Sequence, residues 1–76
     1  MDLTKLSDLG LALRSRYLDD QMEAATERGN PEAWREAAHG VLDCIAEYAL
    51  RLGKPPIDME ERRGEVEALY AEMCVE

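Results

Sequence analysis

The sequence predicts an all-α protein: a three-helix antiparallel bundle completed by homodimerisation. Three observations predict it. Apolar residues recur at helical spacing throughout the 76 residues, with no alternating strand pattern. Capping and stop residues divide the chain into residues 4–28, 31–52 and 58–74. The connections between those segments are short enough to favour antiparallel neighbours. A mass of 8.6 kDa fits one domain, residues 1–76, with about 4,700 Å² of folded surface. Chains this small need close helix packing, a staple or a partner subunit.

Asp2 or Thr4 caps the first helix, and Gly29 stands where a left-handed stop is wanted. At about 100° per residue, Leu3, Leu6, Leu9, Leu13 and Tyr17 share one face with Gly10. Leu11, Leu18, Met22 and Ala25 form a second stripe roughly 120° away. Arg14 and Ser7 lie between the stripes, while Lys5, Asp8, Arg16, Asp19 and Glu23 take the wet side. The apolar arc is wider than one neighbouring helix covers.

The second helix has the clearest punctuation. Asn30 is the N-cap, Pro31 suits the first helical position, and Glu32 complements the positive end of the dipole. Arg51 matches the negative end, and Gly53 followed by Pro55-Pro56 stops the helix. Trp34, Ala38, Val41, Ile45, Tyr48 and Leu52 form a heptad seam, widened by Ala37, Leu42, Cys44 and Ala49. Glu32, Glu36, Asp43 and Glu47 line the other side, where Leu50 stands alone.

The third helix opens with Asp58 and Glu61 at capping-box spacing. Met59, Val66, Leu69, Tyr70 and Met73 give it a narrow apolar face, interrupted by Arg62, Arg63 and Gly64, with fraying expected at Val75-Glu76. It is the least secure of the three.

Composition narrows the function. A formal charge of −8 with scattered basic residues disfavours nucleic acid and anionic membrane surfaces and favours a basic protein surface. No apolar run approaches the roughly 20 residues that span a bilayer. The opening Met1-Asp2-Leu3-Thr4-Lys5 lacks the basic start of a signal peptide. A cytoplasmic chain with Cys44 and Cys74 reduced is therefore expected.

Chemical constellations are sparse. Glu36 and His39 form a Glu-x-x-His pair, the spacing that places two metal ligands on one helical face, and Asp43 is a third donor nearby. Glu32, Glu36, Asp43 and Glu47, with Asp19, Asp20 and Glu23, supply the carboxylates of a Mg²⁺ site of the kind all-α nucleotide hydrolases use. Both sets lie on sides expected to be wet. The Walker, G-x-G-x-x-G, H-E-x-x-H and EF-hand patterns are absent. No catalytic, cofactor-binding or metal residue is therefore assigned.

The expected function is that of a small acidic non-enzymatic protein–protein interaction protein. Short acidic helical chains without chemistry are common among phage and mobile-element genes, where they act as inhibitors by occluding a host protein surface. The expected binding residues are Leu11, Arg14, Leu18, Asp19, Met22 and Glu23, on the premise that one protomer leaves the second stripe of the first helix uncovered. A metal-binding bundle or Mg-dependent nucleotide hydrolase using the helix-two carboxylates is the alternative.

Overall fold

The computed structural model describes residues 2–54 and 58–75. Within them lie a 3-10 turn, Leu3–Lys5, and three helices: α1 Asp8–Arg28, α2 Pro31–Arg51 and α3 Met59–Met73. No strand occurs among the described residues. The Pro55-Pro56 stop and Glu76 lie outside them.

The N-terminal segment breaks in two. Asp2 accepts from the Thr4 amide and caps the 3-10 turn. Those bonds, from the Thr4 hydroxyl first and then its amide, hold the Asp2 carboxyl below its usual value. The turn ends at Leu6 in extended backbone. Ser7 then begins α1 afresh, its hydroxyl accepting from the Gly10 amide at 3.0 Å. The long helix therefore starts at Asp8 and not at Thr4. The break uncouples Leu3 and Leu6 from the helical phase of Leu9, Leu13 and Tyr17. Leu3 and Leu6 turn inward against the core.

α1 and α2 are joined by two residues. Gly29 has φ +65°, a left-handed conformation that costs glycine little. The Asn30 amide bonds back to the Ala25 carbonyl at 2.9 Å, which satisfies the helix end. Asn30 then caps α2 by accepting from the Ala33 amide. At the other end Gly53, with φ +66°, repeats the device, and the Lys54 amide bonds to the Ala49 carbonyl.

The core lies between α1 and α2. Leu11 and Cys44 are 0% exposed, and Leu18, Ala25, Ala37 and Ala38 are also buried. Val41 and Tyr48 pack against the Leu11–Leu18–Cys44 cluster. Large side chains on α1 fill against small ones on α2. Leu18 sits over Gly40, where an added Cβ would lie 2.9 Å from the Leu18 Cδ1. Full burial of one leucine contributes about 1.5–3 kcal/mol. The α1 seam therefore reads Leu11, Ser15, Leu18, Met22 and Ala25, a 4-3-4-3 spacing in which Ser15 and Met22 are half-buried.

This reverses the expected roles of the two α1 stripes. The second stripe is the core, and Leu9, Leu13 and Tyr17 of the first are exposed. On α2 the expected heptad seam is covered only in part. Ala38 is buried, Trp34, Val41, Ile45 and Tyr48 are half-buried, and Leu52 is exposed. Ala37 and Cys44, expected to flank that seam, are among the most buried residues.

Polar bonds close the open end of the hairpin. Arg51 reaches away from its own helix terminus. It donates to the Leu3 carbonyl at 2.9 Å, the Leu6 carbonyl at 2.6 Å and Asp8 Oδ1 at 2.9 Å. The Tyr48 hydroxyl donates to the Asp8 carbonyl at 3.2 Å.

α3 attaches differently. It packs on α2 but contributes no buried residue. No comparable seam joins α1 to α3 among the described residues. The molecule is consequently flat, with Cα extents of 42 × 23 × 15 Å. Its radius of gyration is 13.2 Å, against about 11 Å for a compact chain of this length.

Candidate interaction surface

With the second stripe of α1 turned inward, the helical part of the first is left outside. Leu9, Leu13 and Tyr17 stand at successive i, i+4 positions and are 70%, 59% and 53% exposed. Such residues stack one above another on a helix. A shallow hollow opens beside them, lined by Leu6, Gly10, Leu13, Arg14 and Tyr17. The Arg14 guanidinium lies 5.5 Å from the centre of the Tyr17 ring, a cation–π contact that fixes one wall.

The exposed area is large for the mass. The chain presents 5529 Å² to solvent, against about 4,700 Å² for a compact protein of this size. The surplus, roughly 800 Å², follows from the flat shape and from α3 burying no residue.

Of the expected binding residues, Leu11 and Leu18 are buried inside the protomer and cannot form an outward patch. The wide apolar arc does meet two environments, with the stripes exchanged. Asp19 and Glu23 are exposed, while Arg14 and Met22 are half-buried. The residues that sequence reasoning missed are Leu9, Leu13 and Tyr17. Their signal was present as an apolar stripe at helical spacing, and periodicity alone does not say which of two stripes a neighbouring helix covers.

His39 is held in a polar network with α3. Arg63 donates to His39 Nδ1 at 3.0 Å and also pairs with Asp43. His39 Nε2 lies 3.6 Å from Glu67, which forms a two-bond pair with Arg35. The Arg35 guanidinium, then the His39 ring, hold the Glu67 carboxyl below its usual value. A cation at His39 would face two arginines. Among the described residues no three His, Cys, Asp or Glu side chains gather as a metal site. Glu47 is drawn toward Arg51, 3.6 Å away. Asp43 and Glu47 thus belong to two separate ion-pair groups.

Cys44 is buried, and that burial pushes its thiol up, opposite to what a nucleophilic thiolate needs. Cys74 is exposed and unpaired. Among the described residues, no helix is long and apolar enough to cross a membrane.

Comparison with known proteins finds no matching family model, curated protein or solved structure.

Proposed function

We propose that the chain is a small acidic, non-enzymatic interaction protein. Its three helices run antiparallel, a second copy completes the bundle, and the assembly inhibits by occluding another protein's surface. The observation that carries this reading is the exposed apolar row Leu9–Leu13–Tyr17 on a flat chain with surplus surface. The net charge of −8 supports a partner with a basic face, since complementary fields speed encounter and exclude wrong partners. Asp19 and Glu23, exposed on α1, are the acidic rim of this proposal, with Arg14 and Met22 beside them.

Affinity capture from host extract, followed by binding measurements on the purified partner, tests it. The expected result is a partner whose affinity falls with added salt and falls again in the Asp19→Lys, Glu23→Lys double variant. Equal capture by wild type and variant contradicts the acidic rim. Melting with Mg²⁺, Mn²⁺ or Fe²⁺ separates the metal alternative. The interaction reading expects no shift, whereas stabilisation that disappears in Glu36→Ala would establish a metal site.

A further inference from the structure

We infer that residues 2–6 form a strap, latched by the single side chain of Arg51, that closes the open end of the α1–α2 hairpin over Cys44 and lifts as a unit while the three helices stay folded.

The strap is jointed where it meets α1. Leu6 and Ser7 are both in extended backbone, with ψ 144° and 167°. The bonds of the 3-10 turn stay within it: Asp2 accepts from Thr4, the Lys5 amide bonds to the Asp2 carbonyl, and the Leu6 amide bonds to the Leu3 carbonyl. Those of α1 begin at Ser7, whose hydroxyl and carbonyl accept from the Gly10 and Leu11 amides. Among the described residues no backbone hydrogen bond joins residues 2–6 to α1. The Leu6 carbonyl, which a continuous helix would give to the Gly10 amide, is left for Arg51.

The latch is one guanidinium. Arg51 Nη2 holds both strap carbonyls, Leu3 at 2.9 Å and Leu6 at 2.6 Å, while Nη1 binds Asp8 Oδ1 across the joint at 2.9 Å. Its planar fork suits several acceptors at once. Backbone bonds from Gly53 and Lys54 end α2, which leaves the Arg51 side chain free for this. Among the described residues these are the strap's only hydrogen bonds to the rest of the chain. Leu3 and Leu6, both half-buried, add apolar contact with the Leu11–Leu18–Cys44 cluster. Leu3 also lines a cavity of about 370 Å³ that it shares with Leu18, Gly40 and Cys44. Leu6 forms a wall of the hollow beside Leu13 and Tyr17. Few buried contacts and one polar anchor mark a segment that opens locally. Lifting it admits solvent to the Cys44 thiol and takes a wall from the hollow, so Arg51 governs access at both places.

Native-state thiol labelling tests the strap on the full chain. In a Cys74→Ser background, Cys44 should react slowly with an aromatic disulfide reagent. The rate should stay nearly constant at urea concentrations below the unfolding transition, because a short strap exposes little surface. Arg51→Met should raise it by about 10- to 100-fold, the range for losing hydrogen bonds to a charged group, with helical circular dichroism retained. Arg51→Lys, which keeps the charge without the fork, should fall between. Arg35→Ala, which weakens only the attachment of α3, should leave the rate unchanged. A rate that climbs with urea in parallel with global unfolding overturns the strap as a separate unit, and this reading needs no variant to fold. An unchanged rate in Arg51→Met overturns the latch, and an equal rise in Arg35→Ala assigns access to α3 instead.

Discussion

On its α1 side, α2 sets Ala37, Gly40 and Cys44 beneath Leu18 and Leu11, and the contact excludes water. On its α3 side the linking groups are Arg35, His39 and Asp43 from α2 with Arg63, Glu67 and Tyr70 from α3, and no α3 residue is buried. The first seam is shape-matched and apolar. The second carries solvated ion pairs, with Arg35 lying 4.7 Å from the centre of the Tyr70 ring, and Met59, Val66 and Tyr70 of α3 are only half-buried. Exposed ion pairs contribute little to stability and weaken with salt, whereas a packed leucine has no such dependence. The hairpin of α1 and α2 therefore carries the stability of the fold, and α3 is the element that opens first.

The largest effect that would break this contrast is expected at Leu11. Leu11→Ala removes a fully enclosed side chain and should cost about 2–5 kcal/mol. Thermal unfolding would show this as a fall of more than about 10 °C for a domain of this size. A shift of only a degree or two would mean that the hairpin is not the core.

Two glycines sharpen the comparison. At Gly40 an alanine methyl meets Leu18, while at Gly64 it meets open space. Gly64→Ala should stabilise α3 by up to about 1 kcal/mol through helix propensity. At Gly40 the same gain is opposed by an overpacking cost of about 1–3 kcal/mol, so Gly40→Ala should be neutral or destabilising. Chemical denaturation of both variants checks the pair, and equal gains at the two sites would refute the close approach of Leu18 to α2.

The smallest effects should be confined to α3. Arg35→Ala should speed amide exchange in α3 and leave the α1–α2 amides nearly unchanged. Uniformly faster exchange would show that the two seams unfold as one. Acid should act in the same place. Arg35, and secondarily His39, depress the folded-state value of Glu67. Its contribution is therefore present above the ordinary glutamate range and is lost as pH falls through the depressed value. Protection in α3 should decline with acidification before protection in the hairpin does, and added salt should mimic part of the loss.

Much of the helical layout was legible. Asn30, Pro31 and Gly29 mark one junction, and Asp58 marks the start of α3, because caps and left-handed stops are local chemistry. The start of α1 was not, since the apolar pattern runs through Ser7 while the hydroxyl of Ser7 starts a new helix. The inward face of α1 was hidden for a different reason. Ser15 interrupts the seam from Leu11 to Ala25, and the sequence of α1 does not show that α2 offers small residues to receive Leu18. Packing between helices depends on both surfaces, while periodicity reports one at a time. That is why Leu11 and Leu18 were expected at an interface and why Leu9, Leu13 and Tyr17 were not. The charged stripe of α2 was misread similarly. His39 and Asp43 stand on the side expected to be wet but meet Arg63 and Glu67 once α3 is in place.

A methyl-resolved NMR dilution series tests the division between inner and outer leucines most directly. The Leu9 and Leu13 methyl resonances should move with protein concentration while those of Leu11 and Leu18 stay fixed. Concentration-dependent shifts at Leu11 and Leu18, with Leu9 and Leu13 unmoved, would contradict it.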